Sequence, residues 1–496
     1  MLTRGASINR RRGRKPNSCQ CWQPVTINRP KNMKTMNLNS GLLTFLPSFV
    51  CAALLGLESG SAQTIAITNI AISGSNARLQ MSQPYDRFIV EKFLTWSQPS
   101  VCWASSAGTL TNQINVALDT NLMGFFRLQF GIQAVHFDDP TLELNIRGLI
   151  VQKRKPVNAV YDVELGNIFQ LSAPNQAINS LTGLEFCRSL SELDLSQNFI
   201  KDLTPLHGLS SLTTLNLGDN FIEDLAPLGS PYSTNLSVLN LNNNLITNVA
   251  PLKPLLSLRN LSLSMNRISE AGPLGALTNL TGLELDYNHI ANLQPLAALI
   301  NLSRLGLEGN GSVADLAALS ALTALTSLDL AGNLIQDVAP LSTLVRLNWL
   351  ELQWNQITNV APLASLKKLS VNLNLTQNRI EDITPLGNLV KLTGLHLGIN
   401  RISDLTALSQ LIWLSSLDLN DNRISNLDAL SNLTQLTGLS LQNNVITDLG
   451  PLVANASQGG LKRAWIDVRG NPLGRFAQTN QIPTLRYTYG VTVYWP

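Results

Sequence analysis

A chain of 496 residues exceeds what one ordinary hydrophobic core organises and should divide into several units. Its 35 Lys and Arg against 32 Asp and Glu hide an asymmetry, because nine of the basic residues fall in the first 35 positions and the first acid is Glu58. Beyond position 62 there remain 26 basic and 31 acidic residues, a net charge of −5, which argues against nucleic acid as the partner of the main body.

The first segment, residues 1–62, reads as a basic leader plus a signal peptide. The run "RRRGRK" has the composition of a nuclear address or a phosphate-binding tail, but it stands upstream of an export signal with its own start at Met33 or Met36. "MKTMNLNSG" supplies a positive n-region, "LLTFLPSFVCAALLGL" an apolar core, and Gly60 and Ala62 the small residues for cleavage after Ala62. The apolar run is too short, and too interrupted by Pro47, for a membrane span, so no integral membrane segment is expected once the signal is removed. The expected location is secreted, at the cell surface or in the periplasm.

Residues 63–131 change rhythm. "TIAITNIAISG", "ARLQMS", "RFIVEKFLTW", "VCWASSAG", "QINVAL" and "GFFRLQF" alternate or run apolar between Gly, Ser, Asn and Pro, the pattern of a small all-β sandwich. The order of a "QPY" turn, a following Trp and a closing "FFRL" resembles fibronectin type III-like modules of exported bacterial proteins. In residues 132–180, "FDDPTLELNIRGLI" places Asp139 to cap a helix and Pro140 in its first turn, which suits an N-terminal cap for the array that follows.

That array occupies residues 181–473. Asparagines at 198, 220, 244, 266, 288, 310, 333, 355, 378, 400, 422 and 444 recur every 22 to 24 residues, each within one repeated pattern such as "LSELDLSQNFIKDLTPLHGL" or "LTGLHLGINRISDLTALSQL". Two leucines spaced by two, such as Leu193 and Leu195, face inward from a short strand. Asn198 then turns the chain with its amide buried in the bend, and Ile200, Leu203 and Leu206 fill the return, which the Pro of "TPL" or "APL" keeps short and non-helical. One coil cannot bury its own apolar face, so the coils must stack, strand beside strand, into a parallel sheet. The pattern resembles the leucine-rich repeat family, specifically the 22-residue bacterial type found in internalins, and the resemblance covers Leu181 to Leu473. It implies an α/β solenoid, a horseshoe with its parallel β-sheet on the concave face. "GSPYSTNL" and "KKLSVNLNL" insert residues, and "GNGSVADL" lacks the Ile after Asn310. Residues 474–496 form the C-terminal cap, a helical turn and a closing strand.

No chemistry stands out along the chain. His136, His207, His289 and His396 occupy unrelated repeat positions without metal-ligand spacing, and no phosphate loop, nucleophile elbow or zinc-protease helix occurs. An open sheet also offers no dry pocket, so neither an enzyme nor a cofactor is expected. Cys19 and Cys21 are too few for zinc, and Cys102 and Cys187 fit either two free thiols or one disulfide. Triplets at Asn235, Asn260, Asn279, Asn301 and Asn432 match the glycosylation pattern but coincide with the repeat itself.

The concave face remains. Its outward positions are polar and acid-leaning, and against them Trp349, Trp354, Tyr287 and Ile399 are conspicuously large. Gly309 and Gly332 take the strand-exit position in the two repeats before Trp354, leaving space beside its ring. Exposed aromatics on a polar-rimmed surface have the composition of a binding hot spot, here Trp349, Glu351, Gln353 and Trp354, supported by Tyr287, Asp329 and His396. The bland alternative is that the indoles lie flat and shield the sheet. The expected role is non-catalytic protein binding, and the internalin resemblance implies a host or neighbouring-cell surface protein as partner. A glycan ligand and an intracellular regulatory scaffold are the alternatives.

Overall fold

A computed structural model describes residues 134–150, 160–229 and 233–495, except the Val163 side chain, and the backbone of seven strands between residues 51 and 130. The chain divides into two compact units, 1–131 and 132–496. In the first, Gly124–Phe130, Phe88–Thr95 and Gln98–Ser105 form an antiparallel sheet to which Cys51–Leu54 adds in parallel, and Ile67–Ser73, Asn76–Tyr85 and Thr111–Ala117 form a second, antiparallel sheet. Cys51–Leu54 falls inside the segment read as signal peptide. The cleavage position after Ala62, most of the leader and the side chain of Cys102 lie outside the described residues.

In the second unit, a helix over Pro140–Leu149 is capped by Asp139, whose Oδ1 accepts from the backbone N–H groups of Thr141 and Leu142 at 2.9 and 3.0 Å. The other oxygen accepts from Asn179 N at 2.8 Å, so one carboxylate starts the helix and ties it to the first coil. From there fifteen parallel strands run in strict chain order from Gln170–Ser172 to Thr492–Tyr494. The register holds residue for residue, with Leu193 opposite Leu215 and Leu215 opposite Leu239. It continues across the second insertion, where Leu350 faces Leu373 and the extra Val371 is turned out to solvent. Residues 230–232 of the first insertion lie outside the described residues.

Stacking buries every inward leucine in one continuous core, including Leu193, Leu195, Ile200, Leu203, Leu206, Leu209 and Leu212 of a single coil. In the repeat that lacks its Ile, Val313 takes the vacated place and is fully buried. The returns differ from the expectation of non-helical chain. All but the last full return among the described residues are single 3-10 turns, for example Ala339–Thr343 with Pro340 among its first residues. Proline is tolerated there because the first N–H groups of a helix have no internal partner, so it opens a turn where an interior proline would break one.

The turn asparagines hold neighbouring coils together. Asn288 Nδ2 donates to the carbonyls of Leu285 and Asp286 in its own repeat and to that of Leu263 in the preceding one, at 3.1, 3.3 and 3.0 Å. Its Oδ1 accepts from Ile268 N, 3.0 Å away in the preceding coil. Asn198, Asn220, Asn244 and Asn355 repeat the arrangement, and Asn471 closes the series against Ile446 and Leu441. The last full return is longer and becomes a helix over Gly450–Ser457, with Asn455 buried on it and donating to Leu430 O at 2.7 Å. Two short helical turns and the strand Thr492–Tyr494 then cover the final edge, pairing with Trp465–Asp467.

Cys187 is a free, fully buried thiol in a core position, and burial pushes its pKa up to about 12. Two outcomes follow. Asn288→Ala should leave the buried Ile268 N–H without its partner and take one of two donors from each of the Leu263 and Leu285 carbonyls, lowering stability by about 1–3 kcal/mol in urea titration, whereas an exposed Asn426→Ala should cost well under half of that. Cys187 should stay unlabelled by a thiol reagent in the native chain and react after unfolding, as read by peptide mapping.

Candidate functional site

Each repeat presents four residues to the open face: two flanking the first inward leucine, one after the second, and one just before the turn asparagine. The last of these is always left-handed. Gln197, Asp219, Asn243, Met265, Tyr287, Trp354, Gln377, Ile399, Asp421 and Asn443 have φ between +51° and +58°, and Gly309 and Gly332 have +65° and +64°. The fold imposes this, because the N–H at that position must reach a carbonyl of the next repeat, as Trp354 N reaches Thr376 O at 2.9 Å. A left-handed residue other than glycine costs about 1–2 kcal/mol, so bulky Tyr, Trp and Ile sit where Gly or Asn would serve the backbone better.

Tyr287 and Trp354 stand three repeats apart on the open face, about 14 Å at the usual strand spacing, with Gly309 and Gly332 between them. Tyr287 lies across Gly309, where a Cβ would stand 2.5 Å from the ring, and its hydroxyl donates to Glu308 Oε1 at 2.6 Å. That hydrogen bond, with burial and nearby acids, pushes the phenol up to about 12. The space expected beside Trp354 is thus filled on the Gly309 side and open only at Gly332. Trp354 itself keeps 51% of its surface exposed, and Trp349 in the strand Trp349–Glu351 is half-buried.

The open face around them is acidic. Glu284 and Asp286 lean over Gly306, where a Cβ would come within 2.6 Å of a carboxylate oxygen of each. Asp329 and Glu351 are adjacent in the ladder, and His396 is separated from Glu351 by Asn374. Burial, reinforced by Glu308, Asp286 and Glu351, raises Asp329 to about 7, although its Oδ1 accepts from Ala331 N at 3.0 Å. Burial also raises Glu284, Asp286 and Glu351 and lowers His396. Glu351 is a correction to the picture of a freely presented acid: only 8% of it is exposed, and Oε1 accepts from Asn372 Nδ2 at 2.6 Å. The structure thus places Asp329, Trp349, Glu351, Gln353 and Trp354 on two adjacent repeats, with Tyr287 two repeats before them and His396 two repeats beyond. Among the described residues no group of three His, Cys, Asp or Glu could hold a metal ion.

A second aromatic group lies at the C-terminal end of the same face. Trp465 stacks over Gly438, 3.0 Å from where its Cβ would be, and stays 42% exposed. Arg469, held by Asp467, stands 5.9 Å from the ring centre of Tyr494. Aligning "AWIDVRGNPL" with the repeats would have placed Trp465 in the outward column of Trp349. The Asn-Leu-Ser/Thr triplets also find a structural role: Asn279 Nδ2 donates to Leu256 O and Thr281 Oγ1 to Arg259 O, both in the preceding coil.

Since its folded value lies above the unfolded one, Asp329 opposes folding increasingly as pH rises from about 4 to about 7. Asp329→Asn should therefore raise the thermal midpoint at about pH 8 and leave it unchanged at about pH 4.

The leucine-rich repeat family model, in its two-copy form, matches residues 188–230, 210–254, 256–298 and 412–454. The structure of an internalin, InlF, from Listeria monocytogenes is 32% identical with a TM-score of 0.62, over 68% of this chain and 96% of that one. A leucine-rich repeat protein of Leptospira interrogans (23% identity, TM-score 0.56, 66% and 97% covered) and InlJ of Listeria monocytogenes (21%, 0.51, 68% and 82%) share the fold. A search of curated protein sequences finds no match. No helix among the described residues is long and apolar enough to cross a membrane.

Proposed function

The chain belongs to the internalin-like leucine-rich repeat proteins, and from that premise we propose that it is an exported, non-catalytic binding protein whose concave sheet holds a partner protein. Repeat domains of internalin and receptor type are in general protein-interaction domains. The observation that carries the reading is Trp354: a half-exposed indole, which nothing in the backbone requires, at a position the fold makes left-handed, with Gly332 open between it and the Tyr287 ring over Gly309. Export rests on the n-region, apolar core and small residues before Gln63, and a host or neighbouring-cell surface partner rests on the family resemblance. The sandwich-like module before the repeats is read as a spacer or a secondary binding unit. The acids beneath the indole select a partner with a basic or amide-rich patch.

The test replaces each tryptophan with a residue that other repeats carry at the same place. Ser occupies the Trp349 position at Ser327 and Ser416, and Asn the Trp354 position at Asn243 and Asn443. The Trp349→Ser, Trp354→Asn chain should fold with undiminished stability and lose binding to partner cells by about thirtyfold or more. Unchanged binding would sink the proposal, and capture of polysaccharide instead of protein by the wild-type chain would establish the glycan reading. Chain found in the cytoplasm with residues 1–62 retained would count against export. Binding should also weaken as pH falls through about 7, where Asp329 takes up its proton while His396, held below its usual range, is still neutral.

A further inference from the structure

The flank of the solenoid between the 3-10 turns and the strands carries a charge pattern opposite to that of the open face. From residue 250 to residue 415, eight successive flank runs (250–259, 272–281, 294–303, 317–326, 339–348, 361–371, 384–393 and 406–415) hold six Lys and Arg and not one acid. The remaining residues of the same span hold four Arg and eleven acids. Such segregation puts unlike charge on different faces, because each repeat position always projects from the same side of the stack.

The pattern is densest in four adjacent repeats, at the two residues that follow the equivalent turn-closing Leu344, Leu366, Leu389 and Leu411. The cations are Arg346, Lys367, Lys368 and Lys391, all exposed and in no ion pair among the described residues. Between them stand Val345, Val390, Ile412 and Trp413, each about half or more exposed, with Trp413 the most open at 59%. Cross-repeat hydrogen bonds such as Ser365 Oγ to Ser342 O, 2.8 Å, keep these rows in register.

We propose that this flank docks on an anionic lipid membrane surface, lysines and arginine against the headgroups and Trp413 with its apolar neighbours in the interfacial layer. The composition favours lipid over a folded acidic partner. Protein interfaces are poor in lysine, whose ammonium must be desolvated, whereas a headgroup layer leaves it hydrated and still attracts it. Trp beside exposed aliphatic side chains is the apolar half of an interfacial surface.

Flotation of the full chain with vesicles tests this. The background replaces all nine basic residues of the leader, Arg4→Gln, Arg10→Gln, Arg11→Gln, Arg12→Gln, Arg14→Gln, Lys15→Gln, Arg29→Gln, Lys31→Gln and Lys34→Gln, so that the leader's charge does not mask the flank. This chain should float with phosphatidylglycerol-containing vesicles, remain behind with phosphatidylcholine alone, and be released by salt. Adding Lys367→Glu and Lys368→Glu should cut vesicle affinity at least about thirtyfold, at about fivefold per lysine before reversal, with the thermal midpoint unchanged. Trp413→Ser should weaken binding without altering its salt dependence. Equal flotation of the double-lysine variant, no flotation of the starting chain, or binding to soluble polyphosphate without binding to vesicles would each overturn the proposal.

Discussion

The amide of one asparagine per repeat is the constraint on which the rest of this solenoid depends. Its Nδ2 serves carbonyls in two successive coils and its Oδ1 an N–H of the preceding one, so it closes its own bend and sets the distance to its neighbour at once. The N–H it satisfies is a buried backbone group, and each leucine carbonyl it serves is shared with the asparagine of the adjoining repeat, so the amides form one continuous chain along the stack. Position is what counts here: shifted by one residue, the amide would miss the carbonyls of both coils. This is why the spacing tolerates insertions elsewhere, at Val371 for instance, and keeps the asparagine in its place.

Register converts one-dimensional periodicity into surfaces. Residues at the same place in successive repeats stand side by side about 4.8 Å apart, so a bias in one repeat position becomes a stripe on the molecule. Acids between the inward leucines make the open face negative, and lysines after the return turn make the flank positive. The stripes ride on a rigid core of leucines, which lets a partner engage them with little loss of protein entropy. The same rigidity underlies the raised pKa of Asp329: burial is the main cause, and Glu308, Asp286 and Glu351, fixed on the same stack, cannot move apart to relieve the repulsion that adds to it.

Much of this was legible beforehand. The parallel sheet, inward leucines and buried asparagines follow from spacing alone, since no other arrangement buries so regular an apolar set. The acidic, aromatic-dotted outward columns follow from alternation along the strand. Legibility failed where the answer depended on what lies beside a residue in space. Glu351 alternates outward, yet amide neighbours from the next strand cover it. Gly309 promised room beside Trp354, yet Tyr287 falls into that room because its hydroxyl finds Glu308. The prolines suggested irregular returns, but at the first positions of a 3-10 turn a missing N–H takes nothing away.

By itself, then, the amino-acid order determined the repeat, its period, the core and the residue types on each face, because these are consequences of burying leucine and satisfying a bend. Only the tertiary structure decided which of those residues reach solvent, which acids are held above their usual range, and that Tyr287 and Trp354 hold left-handed backbone on either side of two glycines. Those properties belong to groups from different coils. Residues 22 apart in the chain become neighbours across one strand spacing, and their hydrogen bonds and mutual fields exist only once the coils have stacked.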